Sequence, residues 1–194
     1  MEKLKKRVRE WQAVTKEFGY KEVYFMGVDE ARGDILRAER PMFKVIHKLG
    51  SKVWAAQTHE TTFGNIGDLM DVAVMAGISK PSETRKWHGA GKEVFQYGGP
   101  MTEWDHPEHF RRNCGLVLWK NGYDGMMHYA YRHGFDHVWN DFDGVRRDHS
   151  FVLPVKGGLI DTIAWEGFRE GVDDTRYVAA LQGEIKKARR SNLA

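Results

Sequence analysis

The chain has 194 residues, of which 41% are hydrophobic and 29% charged, with a formal net charge of +3. This fits one ordinary globular domain with a sizeable core. A single cysteine, Cys114, excludes an internal disulfide or a multi-cysteine zinc site, no apolar run approaches the ~18 residues of a membrane span, and the basic clusters at the ends lack the interleaved aromatics of a nucleic-acid surface.

The first predicted element is a helix over Met1–Gly19, where Leu4, Val8, Trp11, Val14 and Phe18 recur at helical spacing and Gly19 closes the last turn. This charged amphipathic start is unlike a signal peptide, and the expected location is the cytoplasm. Tyr24–Val28 is a short apolar run that reads as a strand and stops on two acids, Asp29 and Glu30. A helix follows over Glu39–Leu49, with Pro41 in its first turn, and then a strand over Val53–Gln57 leading to Thr58, His59 and Glu60. Ile66–Met75 reads as a helix closed by Gly77. A loop rich in lysine, serine and glycine precedes a third strand, Glu93–Tyr97. Glu108–Asn121 is predicted helical and Gly125–Ala130 a fourth strand. A polar, aromatic loop runs from His137 to His149, followed by a fifth strand, Ser150–Val155. Asp161 is placed as the cap of a long final helix, interrupted near Gly171 and resuming at Asp173.

Strands alternating with helices imply an α/β fold with a parallel sheet and right-handed crossovers. Chemistry-bearing residues gather at the strand exits, whereas the entries are bland. That asymmetry belongs to a (β/α) barrel, whose sites form at the C-terminal rim of the strands. No GxGxxG or Walker A sequence is present, so no nucleotide cofactor is expected. Five predicted strands fall short of the eight in a full barrel. The expectation is therefore a partial barrel, or one completed by another copy or another polypeptide.

The final helix carries Trp165-Glu166, Arg169-Glu170-Gly171 and Asp174 followed by Tyr177. This stretch resembles the closing segment of the glycoside hydrolase family 123 barrel and its relatives, with Ala164 where that pattern usually has arginine. The Asp29-Glu30 pair is similar to the pair that ends the fourth barrel strand there and in the family 20 hexosaminidases. The resemblance implies that residues 1–194 form one catalytic domain equivalent to barrel strands four to eight. It implies hydrolysis of β-linked N-acetylhexosaminides by a substrate-assisted retaining mechanism. Glu30 would be the acid/base and Asp29 would orient the acetamido group. His59, Tyr97, Tyr129, Tyr131, Trp139 and Asp141 are the candidate sugar contacts, since flat rings with polar rims suit a sugar's apolar face and hydroxyl edge. An inactive carbohydrate-binding or scaffold derivative is the alternative. A metal-dependent hydrolase using the His133–His149 segment is the other. That segment is rich in ligating groups but lacks the frame of a calcium loop, and no metal is expected. The expected partners are a carbohydrate and a second chain that closes the barrel.

Overall fold

The computed structural model describes residues 1–58, 61–99, 103–134, 137–144 and 147–191, and the chain divides into two compact units, Met1–Tyr97 and Gly98–Ala194. The first unit runs α1 (Glu2–Glu17), β1 (Tyr24–Met26), α2 (Asp34–Lys48), β2 (Lys52–Gln57), α3 (Thr62–Ile66), β3 (Val72–Ala76), α4 (Pro81–Gly89) and β4 (Glu93–Tyr97). Parallel strands thus alternate with helices, the expected architecture of a partial (β/α) barrel. The order within the sheet is β1-β2-β3-β4, with Phe25 beside Val53, Ala55 beside Ala73 and Val74 beside Phe95.

Side-chain alternation divides the sheet into two faces. Val53, Ala55, Ala73 and Val94 are buried on the face that carries the helices, together with Leu36, Phe43 and Ile46 of α2 and Trp87 of α4. Burying the valine, leucine, isoleucine and phenylalanine side chains among them contributes roughly 1.5–3 kcal/mol each. The other face gathers Val72, Val74 and Tyr97, with Trp54, Ala56, Ala76 and Phe95 packed against them. Gly27 allows α2 to close on the sheet, because a Cβ there would lie 2.9 Å from Phe43 and 3.0 Å from Glu39.

Several elements differ from expectation. Val72–Ala76 is a strand rather than the second half of a helix, and the real helix, Thr62–Ile66, ends before it. All but the last residue of β3 are buried. A central parallel strand is apolar on both faces and therefore shows no alternation to read. Residues 81–89, expected as loop, form α4, which starts with Pro81 at its first position and buries Trp87. Helix α2 starts at Asp34 and runs through Pro41, so its inward face, Leu36, Glu39, Phe43 and Ile46, begins before the proline.

The strand entries are not bland either. Asp71, just before β3, accepts the Val53 N–H at 2.8 Å and pairs with His47 Nε2 at 2.7 Å, with Lys92 at 3.7 Å. One carboxylate thereby ties α2, β2 and β4 together. Asp71→Ala is expected to cost about 2 kcal/mol, since it strands a main-chain N–H and removes a charge-assisted bond. Urea denaturation measures this, and a loss below ~0.5 kcal/mol would show that the network is dispensable.

The second unit contains α5 (Pro107–Arg111), a π-helical turn (Arg112–Leu116), α6 (Val117–Lys120), β5 (Gly125–Met126), β6 (Arg132–His133), β7 (His149–Ser150), β8 (Val152–Val155), β9 (Gly158–Asp161) and α7 (Ile163–Ser191). The expected single helix over 108–121 is thus three segments. The expected fifth parallel strand is β8, which pairs antiparallel with β9, and Asp161 ends β9 instead of capping the helix. Thr162 takes the capping role through Trp165 N–H at 3.3 Å. Helix α7 continues through Gly171 without the expected break. A Cβ on Gly171 would sit 2.8 Å from the Arg111 carbonyl oxygen, so this glycine provides close helix packing, not a break. Arg111 then bridges Asp174 at 2.8 Å and Glu170 at 2.9 Å. Phe110, Cys114, Phe151, Val152 and Ala164 form the core, with Trp165 and Phe168 packed on it. Burial pushes the Cys114 thiol up to about 12, so it behaves as a small apolar side chain. No helix among the described residues is long and apolar enough to cross a membrane.

Candidate functional site

The Asp29-Glu30 pair, in the turn that follows β1, lies where a parallel sheet places its chemistry, at the C-terminal ends of the strands. Glu30 continues the β1 ladder through its N–H to the Ala56 carbonyl at 3.0 Å. Its backbone has φ +49°, in the left-handed region that a branched or long side chain enters at a cost of about 1 kcal/mol. Sterically costly conformations of this kind concentrate at functional positions. The turn delivers the carboxylate to the last residue of β4, where the Tyr97 hydroxyl donates a hydrogen bond to Glu30 Oε1. Tyr97 is itself buried. Burial, then the Glu30 carboxylate, raises its phenol above the usual range, so it remains a proton donor.

Asp29 is exposed beside Glu30, and its charge adds to the upward push on Tyr97. Arg32 reaches Thr58 Oγ1 at 3.4 Å and brings a cation to the same strand ends. Ala56, Val74 and Ala76 lie on the same sheet face as Tyr97 and give the site an apolar floor. The arrangement offers one donor, several acceptors and one guanidinium, all at the exits of β1, β2 and β4. Arg32 was not legible in the sequence, since a lone arginine after a strand carries no spacing signal. The link from Glu30 to Tyr97 spans 67 positions and had none either.

Of the other expected contacts, His59 lies outside the described residues. Tyr129, Tyr131, Trp139 and Asp141 belong to the second unit. There the Tyr129 hydroxyl meets His133 Nδ1 at 2.9 Å, Tyr131 stands edge-on to Trp165, and Trp139 Nε1 donates to the Pro154 carbonyl at 3.1 Å. Asp141 is buried, accepts the Asp148 N–H at 2.7 Å and pairs with Arg147. Arg147 also holds Glu103 at 3.2 Å and Asp105 at 2.9 Å. Among the described residues, the clusters with metal-ligand spacing are Glu103-Asp105-His106 and His106-Glu108-His109. Both lie upstream of the His133–His149 segment that the sequence suggested.

No family model and no curated protein matches the chain. Among solved structures, it is similar to a truncated form of 3-deoxy-D-arabino-heptulosonate 7-phosphate synthase from Thermotoga maritima. The TM-score is 0.44 and the identity 16%, over 69% of this chain and 50% of that one. The chain thus spans about half the length of the structure it matches. This corrects the expected function. No glycoside hydrolase family model matches the chain, and nothing among the comparisons supports glycosidase activity. The expected N-acetylhexosaminidase reaction therefore does not stand, and neither do the expected roles of Glu30 as glycosidic acid/base and Asp29 as acetamido guide. The reading as an inactive derivative of such an enzyme falls with it.

Proposed function

We propose that the first unit binds a small hydroxylated molecule of carbohydrate type at the C-terminal ends of β1 and β4, and that the protein is an enzyme in which Glu30 exchanges a proton with this ligand. The observation that carries the reading is the Tyr97–Glu30 hydrogen bond at the strand ends, with Glu30 in a left-handed backbone conformation. A hydroxyl both donates and accepts, so it can insert between a phenol that donates and a carboxylate that accepts. Arg32 supplies further donors beside them, and the aliphatic floor suits a C–H face.

The test is ligand-observed NMR and calorimetry on a panel of monosaccharides, disaccharides and polyols, using the unaltered chain, Glu30→Gln and Tyr97→Phe. Each variant is expected to weaken binding about tenfold, or about 1.4 kcal/mol, with little change in melting temperature. Absence of binding across the panel, or equal affinity in all three proteins, refutes the proposal.

A further inference from the structure

Strand β1 is at the edge of its sheet. The Lys52 N–H donates to the Val23 carbonyl at 2.9 Å and the Gly27 N–H to the Trp54 carbonyl at 2.8 Å, so the odd positions face β2. By the alternation of a parallel ladder, the main-chain N–H and C=O groups of Tyr24 and Met26 point to the open side. The next N–H on that side, Val28, is taken by Glu39 Oε1 at 2.6 Å. A groove of about 720 Å³ runs beside this edge, walled by Leu4 and Trp11 of α1, Phe25 of β1, and Met42 and Phe43 of α2. Arg7 and Glu22 also line it.

Two features distinguish this groove from an ordinary surface depression. The apolar face of α1 is mostly uncovered: Val8 is buried, but Trp11 is 49% and Phe18 74% exposed. In addition, Glu39 lines the groove while only 2% exposed, and its Oε2 has no hydrogen-bond partner among the described residues. Burial raises its pKa. A buried carboxylate with one oxygen unsatisfied is a standing cost that a donor entering the groove would recover.

We propose that the groove takes an extended β-segment of a partner polypeptide, hydrogen-bonded to the main chain of Tyr24 and Met26, apolar toward α1 and α2, and presenting one Lys or Arg to Glu39. Outward N–H and C=O groups at every second residue match another main chain, as in strand addition at a sheet edge. The unpaired acid sets the charge of the one polar side chain. The β1 edge of a second copy fits poorly by the same criterion, because residues 23–28 carry no Lys or Arg to present to Glu39. The proposal is independent of the Glu30 site, and Glu30→Gln is expected to leave it unchanged.

Decapeptides displayed on phage are selected against the full chain, and the most enriched one is synthesised as the probe. The expected sequence alternates β-branched or aromatic residues with polar ones and carries one Lys or Arg. Binding is expected to slow hydrogen exchange at the Tyr24 and Met26 amides at least tenfold. Met26→Pro removes an edge N–H that β2 does not use, and Glu39→Gln removes the charge. Each should weaken binding about tenfold. The exchange measurement uses the unaltered chain, so it decides the matter even if Met26→Pro fails to fold. No enrichment, a helical consensus, unchanged exchange at Tyr24 and Met26, or undiminished binding to a folded Met26→Pro would each overturn the proposal. Protection of those amides in the protein alone, rising with its concentration, would overturn it in favour of a second copy.

Discussion

Acidification from pH 7 to pH 4 is expected to remove roughly 3 kcal/mol of stability through His128 alone. The ring sits edge-on to Phe110 at 5.3 Å and tilted against Phe151 at 5.4 Å, and neither ring nitrogen has a hydrogen-bond partner among the described residues. Burial, with a smaller contribution from the His149 charge, lowers its pKa from 6.5 to about 4. The unfolded chain therefore takes up the proton first as the pH falls. The stabilisation is complete above about pH 6.5 and is lost progressively as the pH falls toward 4. Carboxylates titrate in the same range, so the informative quantity is the difference from His128→Phe, which keeps an aromatic ring but cannot be charged. Urea unfolding at pH 7, 5.5 and 4 should show the variant losing about 3 kcal/mol less than the unaltered chain. Parallel pH profiles for the two proteins would sink the idea.

Gly167→Ala is expected to destabilise the chain by about 3 kcal/mol, the upper end of the usual cost of overpacking. A Cβ at this position would meet the Pro107 carbonyl oxygen at 2.1 Å and its carbonyl carbon at 2.6 Å, both main-chain atoms. Relief would require α5 and α7 to separate, opening the core around Phe110 and Ala164. The same helix supplies the control. Gly183 has nothing within 4 Å of a built Cβ, so Gly183→Ala should gain up to ~1 kcal/mol from helix propensity alone. Opposite signs for one substitution in one helix, measured by thermal or urea denaturation, would separate close packing from propensity. Equal and small effects would mean that α5 and α7 are not held at this distance.

The elements read most accurately from the sequence are those with an unambiguous period or a clear boundary. The predicted strand Glu93–Tyr97 coincides with β4, and Val53–Gln57 lies within one residue of β2. The Asp29-Glu30 pair reads as a strand exit because apolar residues give way to acids there. Elsewhere local signals were misleading. Pro41 suggested a helix start, but it lies inside α2, where Leu36 and Phe43 hold the helix against the sheet. Gly171 suggested a break, but it is the position where α7 approaches Arg111 and Gly115. The apolar stretch of β3 lacked alternation because it is buried on both faces.

By itself the sequence determined the α/β class, the order of most strands and helices, and the presence of two acids at the end of β1. These follow from hydrophobic periodicity and turn residues, which act over a few positions along the chain. Tertiary structure decided the rest. It set Tyr97 against Glu30, turned Glu39 inward beneath the β1 edge, packed His128 against two phenylalanines and closed α7 onto α5 at Gly167. Each of these joins residues distant in sequence, and the chemistry of each depends on what burial and a neighbouring group do to a polar or absent side chain. Residue types and spacing do not encode that environment, because it exists only once the chain has folded.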